Sequence, residues 1–202
     1  MKELIFATHN KHKSEEIRDI LKGSYRILNL EELGYFEPLP EDQDTLEGNA
    51  SRKAWHTYRA LERDCFADDT GLEVECLVGG PGVYSARYAA MSGEQLNHET
   101  ASEANIRKLL KTMEGETLRK ARFRTVICLI MNRREHLFEG IVTGKITKEK
   151  RGEKGFGYDP VFIPEGFQLT FAEMSLDEKN RISHRARAIQ NLVDFLQNHT
   201  RQ

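Results

Sequence analysis

Along this chain, short apolar runs alternate with sets of apolar residues at helical spacing, the pattern of strands and helices taking turns. Leu4-Ile5-Phe6-Ala7 reads as a buried strand. Polar residues from Thr8 to Lys13 follow, and then a helix with Ile17, Ile20 and Leu21 on one face. Tyr25 to Leu30 suits a second strand, ahead of an irregular acidic stretch from Gly34 to Asp44 that holds Pro38 and Pro40. From Thr45, Leu46, Ala50, Ala54, Tyr58 and Leu61 recur as an amphipathic helix. It delivers the chain to Cys65-Phe66-Ala67, a strand that Asp68-Asp69 is expected to end, with a turn at Thr70-Gly71 before Leu72 and Val74 resume the rhythm.

The second half reads in the same way. Gly79-Gly80-Pro81-Gly82 predicts a sharp loop, and Ser92-Gly93-Glu94-Gln95 resembles a capping box opening a helix packed through Ile106, Leu109, Leu110 and Met113. Ala121 to Met131 first alternates and then turns apolar throughout, as a central strand covered on both faces would, with Leu137 to Thr147 as its expected partner. Ser175-Leu176-Asp177-Glu178 is another capping box, and Ser183 precedes a helix with Ala186, Ile189, Leu192, Val193 and Leu196 inward. Without a strict strand-helix-strand repeat, the prediction is an α/β protein with a mixed sheet flanked by helices.

Length and composition narrow the function classes. At 202 residues the chain suits one domain of two lobes, and 39% hydrophobic with 31% charged residues is ordinary for a globular core. Thirty Lys and Arg against 32 Asp and Glu give a net charge of −2, no global field for nucleic acid or an anionic membrane. Cys65, Cys76 and Cys128 form no paired metal motif and fit a reducing compartment. The N-terminal apolar run is too short for a signal peptide and Val126 to Met131 too short to span a bilayer, so a cytoplasmic protein without membrane contact is expected.

Candidate chemistry sits in four places. Thr8-His9-Asn10-Lys11-His12-Lys13 offers hydroxyl, amide and ammonium donors just before a helix N-terminus, where free N–H groups and the helix dipole favour a phosphate; a plain polar connection capped by Thr8 or Asn10 is the alternative. Asp68-Asp69 supplies adjacent carboxylates that suit magnesium, or form only an acidic turn. Phe156, between Gly155 and Gly157, is stripped of neighbouring side chains and can stack on a base, with Asp159 able to accept from a ring N–H; the competing reading is a hydrophobic plug. Lys179 with Ser183-His184-Arg185 forms a second donor cluster, or a solvated basic face. Gly140 to Ile146 looks like a phosphate loop, but it lacks the spacing and the terminal hydroxyl and lies in a strand pattern.

Taken together, these segments resemble the inosine and xanthosine triphosphate pyrophosphatases. Thr8 to Lys13 fits that family's opening (Ser/Thr)-x-Asn-x-x-Lys, Asp68-Asp69-Thr70-Gly71-Leu72 and Gly82 to Tyr88 fit its central signature, and Gly155 to Pro160 and Ser183-His184-Arg185 fit the last two motifs. The resemblance implies an elongated mixed sheet with two helical lobes and the active site in the cleft between them, a homodimer, and Mg2+-dependent hydrolysis of a nucleoside triphosphate to monophosphate and pyrophosphate. It implies that Asp69 activates water and, with Glu41, serves the metal, Asp42 and Asp44 being equally available nearby. Thr8, His9, Asn10, Lys11, His12, Lys13 and Thr70 would meet substrate; Phe156, Gly157, Tyr158, Asp159, Lys179, His184 and Arg185 would surround the base. One departure stands out: members often carry an acid directly before the asparagine that is Asn49 here, where this chain has Gly48, with Glu47 one place earlier. The competing assignments are a Maf-type pyrophosphatase, opposed by the Phe156 and Ser183 motifs, and a nucleotide-sensing or RNA-binding module, for which an activating acid would be superfluous.

Overall fold

The computed structural model describes residues 2–199. In chain order these form β1 (Lys2–Phe6), α1 (Lys11–Ile20), β2 (Tyr25–Asn29), α2 (Leu46–Leu61), β3 (Cys65–Val74), β4 (Pro81–Gly82), α3 (Ala101–Thr112), β5 (Lys120–Met131), β6 (Arg134–Ile146), β7 (Phe162–Pro164), α4 (Leu176–Ile182) and α5 (His184–His199). The strands make one sheet in the order β2-β1-β3-β5-β6-β7, with β4 on β3. β1 runs parallel to β2 and β3, whereas β3 with β4 and β6 with β7 are antiparallel, so the sheet is mixed and helix-flanked as the sequence predicts.

The chain divides into two compact units. Of the described residues, 2–69, 125–140 and 183–199 form the first; 70–124 and 141–182 form the second. In the first, Phe6, Ile17, Ile27, Phe66, Ile127, Leu129, Ile189 and Leu192 make one core, within which the Phe6 and Phe66 rings stack at 4.7 Å, a contact worth about 1 kcal/mol beyond area burial. In the second, Leu72, Ile106, Leu109, Phe123, Val142, Phe162 and Phe171 do the same. β5 alternates exposure at its start and is covered through its second half, matching the change in its sequence pattern. Asn132 and Arg133, both at positive φ, close the hairpin between β5 and β6, as the two-residue turns that match sheet twist require.

Two expectations are corrected. Asp68-Asp69 does not end a strand: β3 continues through Thr70-Gly71 to Val74. Gly71 is needed there for another reason, since a Cβ on it would lie 2.6 Å from the Gly82 carbonyl oxygen on β4. Nor does Ser92 open a helix. It ends a short 3-10 turn, and the capping box belongs to Thr100 and Glu103, which lie further along the chain. The Ser175–Glu178 box is present, and Ser183 Oγ accepts from the Ala186 N–H to cap α5. No helix among the described residues is long and apolar enough to cross a membrane.

Candidate active site

The first unit holds the carboxylates and most of the phosphate-type donors. The parallel β1–α1–β2 unit carries the Thr8 to Lys13 loop at the carboxyl end of β1, the usual position for ligand loops in such sheets. Asn10 caps α1 by accepting from the Lys13 N–H at 3.1 Å, and Thr8 Oγ1 accepts from the Asn10 N–H at 3.1 Å. These bonds fix the backbone, so Lys13 leaves the first turn toward β3. Its Nζ donates to Asp68 Oδ1 at 2.8 Å. Thr8 is buried; Lys11 and His12 are exposed, in loose pairs with Glu31 and Glu15. His9 Nε2 meets the Glu37 carbonyl oxygen at 2.9 Å and so ties this loop to the acidic Gly34–Asp44 stretch.

Because β3 runs on, Asp68 and Asp69 point to opposite faces of a buried strand. Asp68 takes the cations: Lys13, and the Arg185 guanidinium at 3.4 Å through Nε and Nη2. Arg185, 1% exposed, also donates through Nη1 to the buried Glu16 of α1. Burial alone would raise the Asp68 carboxyl, but Lys13, Arg185 and Lys53 outweigh it and hold the group well below the usual carboxylate range. For Asp69 the balance reverses, since burial dominates over Lys53 and Lys13 and lifts its proton affinity above the ordinary value. Two adjacent acids thereby receive opposite characters, one a fixed anion and one a potential proton acceptor.

Around Asp69 lie residues that the sequence reading had not singled out. Lys53 of α2, 3% exposed, reaches Asp69 Oδ1 at 3.3 Å and Glu41 Oε1 at 2.7 Å. Burial would lower the Lys53 ammonium, but Asp69 and Glu41 outweigh it and keep it charged. Asn49 donates to Asp69 Oδ2 at 3.1 Å. Both residues share the buried face of α2 with Ala50, Ala54 and Thr57, and that placement at helical spacing was the available signal. Gly48 also finds its reason: a Cβ there would sit 2.8 Å from Gln43 Cβ and 3.0 Å from Thr45 Oγ1, so the glycine lets the acidic stretch fold against the start of α2.

The second unit holds the aromatic group. Gly155 and Gly157 take positive φ on either side of half-buried Phe156. Asp159 Oδ2 accepts from the Phe156 N–H at 2.9 Å and from Lys179 Nζ at 2.7 Å, so this carboxylate organises the loop. Lys179 Nζ lies 5.0 Å from the Phe156 ring centroid, a cation–π arrangement. Tyr158 is buried and donates to the Ser85 carbonyl oxygen at 2.9 Å, tying the loop to the Gly82–Tyr88 segment. Thr70 begins this unit on β3. His184 and Arg185 belong to the first unit; His184 is buried where α5 starts, and Gly140 is needed beside it because a Cβ would fall 2.0 Å from the His184 carbonyl oxygen. A cavity of about 920 Å³ in the second unit, lined by Glu73, Lys120, Arg122, Lys145, Glu165 and Phe167 among others, contains none of these residues.

A profile of the Ham1 family matches residues 4–195. The chain belongs to the Ham1 family. It is 52% identical over 196 residues to the dITP/XTP pyrophosphatase of Flavobacterium psychrophilum, covering 97% of this chain and all of that protein. The corresponding protein of Porphyromonas gingivalis is 54% identical over 197 residues, 97% of this chain and 98% of its own. Among solved structures, the Staphylococcus aureus Ham1 protein superposes with a TM-score of 0.84 at 38% identity, covering 98% of this chain and all of its own. A Coxiella burnetii HAM1 protein gives 0.85 at 33%, again covering 98% and all of the two chains. The resemblance read from the four motifs is thus borne out at the level of family and fold.

Proposed function

We propose that this Ham1-family chain is a nucleoside triphosphate pyrophosphatase that hydrolyses deaminated purine nucleotides, inosine, deoxyinosine and xanthosine triphosphates, to the monophosphate and pyrophosphate. The observation that carries the reading is the division between Asp68, taken by Lys13 and Arg185, and Asp69, set apart beside Lys53, Asn49 and Glu41: a binding module needs cations for phosphate but has no use for a second buried carboxylate whose burial favours taking up a proton. In this scheme the Thr8–Lys13 loop and the Lys13 ammonium bind the phosphates. Asp69 orients a water and takes its proton, a bond forms from that water oxygen to the α-phosphorus, and the α–β bridging bond breaks so that pyrophosphate leaves.

The donor set suits Mg2+. Glu41 and Asp69 already converge on one cation, the Lys53 ammonium, and both are hard oxygen donors. Among the described residues no group of three or more His, Cys, Asp or Glu could hold a metal by itself, and Mg2+ is commonly held by one or two carboxylates with substrate phosphates. Glu41 and Asp69 would hold the ion, which when bound would neutralise charge on the phosphates.

In the second unit, Phe156 would stack on the purine, with Asp159 holding the Phe156 loop and Lys179 in place. Lys179 donates hydrogen bonds and never accepts them, so it matches a keto oxygen at the purine six-position and opposes adenine's amino group. A site built on such a bond can reject the wrong base by roughly 10⁴-fold. Guanine shares the six-keto group, and its rejection must rest on the extra two-amino group. The homodimer implied by the resemblance and the cytoplasmic location expected from the short apolar runs belong to the same proposal. The test is incubation of the purified protein with inosine triphosphate and Mg2+ in heavy-oxygen water. Pyrophosphate should appear and the label should enter the monophosphate. Label in released phosphate would place attack at another phosphorus, and binding without turnover would favour a sensor.

A further inference from the structure

The stretch from Gly34 to Asp44 that carries Glu41 contains no helix or strand, so bonds made by side chains hold it in place. One is the pair with Lys53, a long side chain. Another runs through Asn49, a short and fully buried one, 1% exposed. The Asn49 amide is used at both ends: its Oδ1 accepts from the Gln43 N–H at 2.9 Å, two residues beyond Glu41, and its Nδ2 donates to Asp69 Oδ2 at 3.1 Å. A flipped amide would set NH2 against N–H and oxygen against carboxylate, so the orientation is forced by its neighbours. The Thr45 cap at the start of α2 and the clearance at Gly48 hold the stretch against this point.

We infer that Asn49 is a positioning residue: through one rigid amide it fixes the spacing of the Glu41-bearing stretch and Asp69, and so prepares the two carboxylates as a pair for a divalent cation. This rests on the pyrophosphatase reading given above. Asn49 acts through Asp69 and the Gln43 backbone, in the way outer-shell partners set metal ligands.

The test uses Asn49→Leu, which has the same number of side-chain heavy atoms but none that hydrogen-bond, and Mn2+ as the metal probe, titrated by electron paramagnetic resonance without nucleotide. Mn2+ affinity should weaken roughly 10- to 100-fold, and the Mg2+ concentration giving half-maximal turnover should rise by a similar factor. Excess Mg2+ should restore turnover, with KM for inosine triphosphate at saturating Mg2+ unchanged. A general structural defect would instead lower turnover at every Mg2+ concentration, and that result overturns the inference. Should Asn49→Leu fail to fold, Asn49→Ala removes the same amide without adding bulk and leaves the Gln43 side chain and its bond to Asp42 in place; it should weaken Mn2+ binding several-fold. Mn2+ affinity within about twofold of the wild type in the folded variant overturns the role of Asn49 alone. A wild type that binds no Mn2+ and releases no pyrophosphate overturns the functional reading and this inference with it.

Discussion

Gly155 and Gly157 flank the same phenylalanine and share a left-handed backbone, yet alanine at the two positions should have different costs. At Gly157, φ +61, a Cβ would meet nothing within 4 Å, so the penalty is backbone strain alone, roughly 1–2 kcal/mol. At Gly155, φ +73, the same strain applies, and the Cβ would fall 2.1 Å from Asp159 Oδ2. Asp159 must turn away, and the Phe156 N–H and the buried Lys179 ammonium lose the oxygen they share. Losing a hydrogen bond to a charged group adds about 1.5–3 kcal/mol, which brings Gly155→Ala to roughly 3–5 kcal/mol. For a chain of this size each kcal/mol lowers the melting temperature by about 2–4 °C. Calorimetry should therefore show a drop of about 2–8 °C for Gly157→Ala and about 6–20 °C for Gly155→Ala. Only the latter should also raise KM for inosine triphosphate, because the Phe156 ring loses its anchor. Equal drops in the two variants would refute the view that a single carboxylate oxygen organises this loop.

Asp69→Asn should fold normally and still bind nucleotide while turnover falls by at least about 10²-fold, because the amide cannot take the water's proton; pyrophosphate release from folded protein checks this. Arg185→Met should cost roughly 3–5 kcal/mol in denaturant unfolding, since Glu16 and Asp68 would remain buried without their shared cation; a loss below 1 kcal/mol would show that Lys13 alone compensates Asp68. Cys65, whose thiol burial pushes up to about 12, and Cys128, also raised by burial, should resist an aromatic disulfide reagent at pH 8 in the native protein, leaving half-buried Cys76 as the residue first modified. Mass spectrometry of the labelled peptides identifies the order.

Much of the fold was legible because local pattern and tertiary demand agreed. The α2 periodicity, the change from alternating to fully apolar in β5, and the Ser175 and Ser183 caps each encode one answer. Two local signals misled. Thr70-Gly71 has turn composition, but Gly71 serves the approach of β4, a contact remote in the chain. Ser92 has cap chemistry, yet its hydroxyl is spent on the Ala89 carbonyl oxygen and Glu94 while Thr100 caps the helix. The motif residues were found because each clusters with others of the same chemistry. Lys53, Asn49 and Glu16 were not, because a charged or amide side chain on a helix reads as surface until its register with Ala50, Ala54 or Ile17 is considered. The division of labour between Asp68 and Asp69 was legible only as a pair of opposite-facing acids; which faces the cations follows from Lys13 and Arg185, 55 and 117 residues away in sequence from Asp68.

The close approach at Gly48 also says how relatives of this protein are free to diverge. With Gln43 Cβ at 2.8 Å from where a Cβ would stand, a side chain at position 48 is compatible only with a smaller residue or a displaced backbone at 43. Positions 43 and 48 should accordingly drift as a couple: lineages that place an acid before the asparagine should show a compensating change five residues upstream. A glycine at 48 should be inherited together with a full side chain at 43, a covariation that an alignment of Ham1 sequences can look for without any protein being made.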